Sequence, residues 1–148
     1  MTVQETRQLF FAMRNGIVAD AFRKASDPHR MVFGLQIPQL SDIARRIGLP
    51  AQDLATQLWN DRDCRESRLL ACWLFDPAAL EADENLAFAL ACDVQSREEA
   101  DILVFRQLRR LGSAPRLLQR LRELTAGNDT DKPEIRFSAE ALERNLAD

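Results

Sequence analysis

The stretch SREEADILVFRQLRRLGSAPRLLQRLREL, Ser96–Leu124, reads as one helix, a stop and a second helix. Ser96 and Glu99 make an S-x-x-E capping box, and at about 100° per residue Ala100, Val104, Leu108 and Leu111 form one apolar stripe. Gly112 and Ser113 close the first helix, while Pro115 suits the first turn of the next. A connection this short makes neighbouring helices pack antiparallel. One residue resists the pattern. Asp101 falls between the directions of Leu108 and Phe105, on the face marked for burial, whereas Arg106, Arg109 and Arg110 point elsewhere. An ionised carboxylate is costly to bury without a partner, so Asp101 is either paired or faces an open groove.

The same punctuation recurs along the chain. Helices are expected at about 3–25, 38–47, 51–60, 63–75, 78–92, 97–111, 114–125 and, shorter, 138–146. Pro38 suits a first turn, Gly48 and Pro50 separate two helices, and Asp76-Pro77 separates two more. There is hardly any period-2 alternation, no Tyr and only five Gly. The expected fold is therefore all-α, with helices pairing as 38–47 with 51–60, 63–75 with 78–92 and 97–111 with 114–125. Pair starts recur every ~25 to 35 residues, the manner of HEAT-like repeats stacked as an α-solenoid with a concave face. RESRLLACWLFD, Arg65–Asp76, is apolar nearly all round and belongs deep between neighbours. Leu69, Leu70, Trp73, Leu86, Leu90, Val104 and Leu108 are the expected core. A polar loop over 127–136 precedes a short capping helix, and the whole of 1–148 reads as one domain.

Composition narrows the function. The chain's 148 residues suffice to bury a core without staples. Cys64, Cys72 and Cys92 are odd in number and lack the spacing of a metal knuckle, so they read as small core residues in a reducing compartment. No metal or other cofactor is expected. His29, in SDPHR, reads as a solvated loop residue. The N-terminal residues do not resemble a secretory signal, and no apolar run approaches the ~20 residues needed to cross a bilayer, so a cytoplasmic protein without membrane contact is expected. The net charge of −3 argues against simple coating of nucleic acid. Its distribution is uneven: Asp76–Asp101 has eight acids against one arginine, Ile102–Arg122 has six arginines and no acid, and Glu123–Asp148 has seven acids against three bases. The basic segment is either a localised phosphate-binding face or the solvated side of two amphipathic helices.

Two stretches go beyond generic helical pattern. RMVFGLQIPQLSDIARRIG, Arg30–Gly48, resembles the entry to the second helix of the DNA alkylation repair glycosylases built of HEAT-like repeats, the AlkC/AlkD superfamily, where Gly-x-x-x-Pro leads into L-x-x-I-A-x-x-I. LWNDRDCRESRLLACWLF, Leu58–Phe75, resembles that family's next landmark, a Leu-Trp followed by Glu-x-Arg and an apolar run; here these are Leu58, Trp59, Glu66 and Arg68. With the helix of Asp101 the resemblance spans Arg30–Leu111. It implies that Asp101 matches the catalytic Asp, and that Arg97 stands where the family has a Trp lining the lesion cleft. Arg136 in EIRFSAEAL is a further match to a family arginine, and the second cleft aromatic has no counterpart here.

The resemblance implies double-stranded, alkylated DNA as partner. N3- or N7-alkylated purines carry a positive charge that weakens the glycosidic bond, so a carboxylate near the sugar can assist departure of the base. Asp101 fits that role, close to the positive end of its helix. Arg97, Arg106, Arg109, Arg110, Arg116, Arg120 and Arg136 are the candidate phosphate ligands. Against this stand structural readings: Asp101 paired with an arginine such as Arg68, Glu66 as part of an internal pair with the arginine two residues on, and Trp59 and Trp73 as core. Three functions stay open: excision of alkylated bases, DNA binding without catalysis, and a helical module for a protein partner.

Overall fold

The computed structural model describes residues 1–127 and 132–147. Among these, ten α-helices and one 3-10 turn are present and no named strand, only an isolated bridge between Met31 and Cys64. The chain is all-helical, as its periodicity predicts. Its residues gather into two compact units, Met1–Asp76 and Pro77–Asp148.

The first unit holds α1 (Val3–Ala12), α2 (Gly16–Lys24), α3 (Ile37–Ile47), α4 (Gln52–Trp59) and α5 (Arg65–Leu74). The helix expected over 3–25 is thus two helices. Asn15 divides them by capping α2, its Oδ1 accepting from the N–H groups of Ile17 and Val18 at 3.1 and 3.2 Å. All ten residues of α5 are buried, Arg65, Glu66, Ser67 and Arg68 among them, so its depth rests on partnered polar groups as well as on its apolar residues. That makes α5 the hub: α1, α3 and α4 all pack on it. α4 runs antiparallel to α5, since the Ala51 N–H at its start bonds the Leu74 carbonyl at the end of α5 at 2.9 Å. The expected pairing of 38–47 with 51–60 is corrected accordingly. A helix that can bury every side gathers its neighbours more strongly than a short connection does.

Gly34 positions the segment between α2 and α3. It has φ +88°, and a Cβ there would lie 2.2 Å from the Asn15 carbonyl oxygen. The backbone of Phe33 is fastened to the same place, its carbonyl accepting from the Asn15 N–H at 2.9 Å. Pro38 then lies in the first turn of α3.

The second unit holds α6 (Pro77–Ala82), α7 (Glu84–Cys92), α8 (Arg97–Arg106), the 3-10 turn Leu108–Arg110, α9 (Ala114–Thr125) and α10 (Ile135–Leu146). The expected helix 78–92 is broken at Asp83, which caps α7 by accepting from Asn85 and Leu86, both at 3.1 Å. The expected helix 97–111 ends at Arg106 and tightens into the 3-10 turn. The expected pairing of α8 with α9 is corrected too, since each packs mainly on α10. α8 and α10 run parallel, because Arg97 meets Glu140 and Asp101 meets Arg144, both separations being 43 residues. The expected core is buried except for Leu86, which is half-buried. Of the polar loop expected over 127–136, residues 128–131 lie outside the described residues, and Ile135 and Arg136 already belong to α10.

Candidate functional site

Asp101 sits one turn into α8. Ser96 caps this helix, its hydroxyl oxygen accepting from the Glu99 N–H at 3.1 Å, and Glu99 reaches back to accept from the Gln95 N–H at 2.9 Å. The helix buries Glu99, Ala100, Leu103 and Val104. Phe105 is 50% exposed, so the face between Phe105 and Leu108 on which Asp101 falls is the margin of the buried stripe rather than its centre. The Asp101 side chain is 46% exposed, and its Oδ1 accepts from Arg144 Nη2 at 2.9 Å. The carboxylate is therefore partnered, and it is also open to solvent.

One turn earlier, Arg97 donates to Glu140 Oε2 at 2.8 Å, and its guanidinium carbon lies 4.5 Å from the centroid of the Phe137 ring. The exposed margin of α8 and α10 is thus a ladder in which Arg97 and Asp101 answer Glu140 and Arg144 with opposite charge. Exposed pairs of this kind contribute little stability, ~0.2–1 kcal/mol each. They do fix where the Asp101 carboxylate stands.

The remaining arginines divide by partner. Arg116 pairs with Glu84, whose hydrogen bond raises the guanidinium above its ordinary range. Arg120 reaches Asn85 Oδ1 at 3.4 Å and lies over Phe88, 3.9 Å from its centroid. Arg109 donates from Nε to the Phe105 carbonyl at 2.7 Å and covers the Phe105 ring at 4.1 Å. Arg136 approaches the Gly127 carbonyl at 3.5 Å. Arg110 is exposed and Arg106 half-buried. Asp101, Arg97 and Arg109 are therefore associated with one margin of α8, while Arg116 and Arg120 lean from α9 towards α7. Arg144, Glu140 and Phe137 join the site without having stood out in the sequence. Their one signal there is the complementary spacing of R-x-x-x-D in α8 and E-x-x-x-R in α10.

The first unit holds a buried polar cluster. Glu66 is fully buried. Its Oε1 accepts from Phe33 N–H at 2.9 Å, and its Oε2 from Gly34 and Leu35 N–H at 3.1 and 3.4 Å and from Arg65 Nη1 at 2.5 Å. The internal pair expected with Arg68 is therefore made with Arg65. Arg68 instead donates to the Trp59 carbonyl at 2.7 Å and stacks over the Trp59 ring at 3.6 Å. Arg65 also donates to the Leu35 carbonyl at 2.9 Å and lies over Phe22 at 3.7 Å. Glu66 is a structural carboxylate that holds the Gly34 segment, and Trp59 and Trp73 are core.

His29 is buried rather than solvated, its Nδ1 2.6 Å from Asp27 Oδ1. The turn chemistry of SDPHR is present, since Asp27 Oδ1 also accepts the His29 N–H at 2.9 Å. The turn is simply folded inward. Burial, the largest single influence, works to raise the Asp27 carboxyl, but the hydrogen bonds from the His29 ring and backbone together hold it below its usual range. The cysteines are free thiols, Cys64 and Cys72 buried, and burial pushes the Cys64 thiol up, away from the reactive thiolate. A groove of about 620 Å³ in this unit is lined by Val3, Arg7, Phe11, Met31, Phe33 and Asp61 among others. Among the described residues no group of three or more His, Cys, Asp and Glu could hold a metal ion, and no helix is long and apolar enough to cross a membrane.

The all-helical chain thus combines an acid-free run with six arginines, Ile102–Arg122, and an open, arginine-held carboxylate on α8. Residues 6–130 match the family described as DNA alkylation repair enzyme, and the chain belongs to that family. No curated protein and no solved structure matches it. The family match takes in α8 and Asp101 but stops short of α10, which supplies Arg144.

Proposed function

We propose that this protein binds double-stranded DNA and slowly releases cationic alkylated purines through Asp101. The observation that carries this reading is the half-exposed carboxylate on α8, held by Arg144 within a ladder of exposed charges. As the glycosidic bond breaks, its electron pair leaves with the base and neutralises the cationic ring. Positive charge develops on the sugar, where the Asp101 carboxylate stabilises it, and water then adds to the sugar carbon and passes a proton to that carboxylate. Arg106, Arg109 and Arg110 hold phosphates, and Arg97, Arg116, Arg120 and Arg136 extend the contact. Arg144 positions the carboxylate.

A second reading, DNA binding without excision, is favoured by one observation. Arg97, at the position that the resemblance assigns to a cleft Trp, is held by Glu140 and laid over Phe137, so no indole surface lines a lesion there. Incubating the protein with DNA containing methylated purines, while measuring both retention and base release, separates the two. Under the first reading the parent releases base and Asp101→Asn does not, with retention unchanged. Retention without release supports the second. Changing Arg106, Arg109 and Arg110 together to Ala weakens binding and flattens the salt dependence by about one unit of slope per lost contact. Absence of any binding at low salt sinks both readings.

A further inference from the structure

Arg97, Asp101 and Phe105 follow one another at four-residue spacing on α8, so their side chains share one ridge. Phe105 is 50% exposed. A guanidinium occupies its face, that of Arg109, whose carbon is 4.1 Å from the ring centroid and whose Nε is tied to the Phe105 carbonyl at 2.7 Å. Arg14 covers Phe11 in the same way, but Phe105 alone of the two stands on the ridge of Asp101. The surrounding sequence, Ile102–Arg122, has no acid. A flat π surface beside a carboxylate and edged by arginines suits a planar, electron-rich group attached to a phosphate chain.

Resting on the DNA-binding reading, we infer that Phe105 is a stacking position for an unpaired base, with Arg109 leaving the ring to take the adjacent phosphate. Stacking a base on an aromatic ring is a stronger contact than a surface cation over the same ring, so the exchange favours the base. The displaced guanidinium stays close because it belongs to the turn that follows α8, and a phosphate offers it a charged acceptor in place of a neutral carbonyl. The ridge thereby selects DNA in which a base has left the stack, and it sets that nucleotide one helical turn from Asp101.

The test uses the full chain and three fluorescent duplexes: fully paired, carrying one unpaired purine, and carrying an abasic nucleotide at the unpaired position. By anisotropy, the parent should bind the unpaired purine roughly ten-fold more tightly than the abasic analogue. Phe105→Ala should erase that difference while leaving binding of the fully paired duplex intact, and Phe105→Trp should preserve it. Arg109→Ala should weaken binding of the unpaired purine most and lower its salt slope by about one. A parent that binds DNA without preferring the unpaired purine, or a Phe105→Ala variant that keeps the preference, overturns the stacking position and leaves the DNA-binding reading standing. A parent that binds none of the duplexes at low salt removes both.

Discussion

Replacing Glu66 with Gln should destabilise the protein far more than its nearly unchanged shape suggests. The side chain is fully buried, and its two oxygens serve different donors: Oε1 takes the Phe33 N–H, while Oε2 takes those of Gly34 and Leu35 together with Arg65 Nη1. An amide has only one acceptor oxygen. Whichever way it turns, its NH2 group faces a donor, and Arg65 loses its nearest counter-charge. The Leu35 carbonyl and, at 3.9 Å, Asp27 Oδ2 still attend Arg65. Breaking a buried pair costs ~3–5 kcal/mol, and with Asp27 remaining the lower end applies. For a chain of about this length each kcal/mol moves Tm by about 2–4 °C, so a fall of roughly 6–12 °C is expected in thermal unfolding followed by circular dichroism. A Glu66→Gln variant melting within about 3 °C of the parent would refute the account of Glu66 as the clasp of the Gly34 segment.

Other expectations follow from the same geometry. Asp101→Asn should cost less than about 1 kcal/mol, because its partner Arg144 is itself 57% exposed; a loss of about 3 kcal/mol in denaturant unfolding would show an internal pair instead. Gly34→Ala forces a Cβ to within 2.2 Å of the Asn15 carbonyl oxygen at positive φ, and should lower stability by ~2 kcal/mol or more in the same assay. The Asp27 carboxyl is depressed in the folded state, so the stability it contributes is fully present above the unfolded value of about 3.9 and is lost as pH falls through the folded one. Tm measured against pH should therefore fall less steeply at the acid end for Asp27→Asn than for the parent; parallel curves would contradict the assignment.

What the sequence reveals here follows the range of each interaction. The α8 terminus is legible because Ser96 and Glu99 carry the capping box in four adjacent residues, whereas the break at Asn15-Gly16, though it carries a turn dipeptide, lies inside a run whose helical periodicity continues on both sides. Short connections mislead about the partners of α4 and α8. Burying all of α5 and inserting α10 beside α8 decide those contacts, and neither is expressed in the loops. Glu66 shows a second kind of blindness: three of its four donors are backbone N–H groups, which leave no letter in the sequence. His29 shows a third, since a turn motif specifies local hydrogen bonds and says nothing about which way the turn faces.

The candidate site combines both kinds of information. Asp101 lies within the matched residues 6–130 and stands out in the sequence as an acid on an apolar face, but Arg144, Glu140 and Phe137 come from α10, beyond that match. Family membership therefore bears on the carboxylate and not on the residues that orient it or hold Arg97 over Phe137. Those contacts belong to this chain. Because α8 and α10 run parallel with a constant offset of 43 residues, a change at Glu140 frees Arg97, whereas a change at Arg144 frees Asp101. The two proposed readings thus separate along the ladder: under the excision reading a change at Arg144 lowers base release by loosening Asp101, whereas a change at Glu140 loosens Arg97 and leaves the partner of the carboxylate in place.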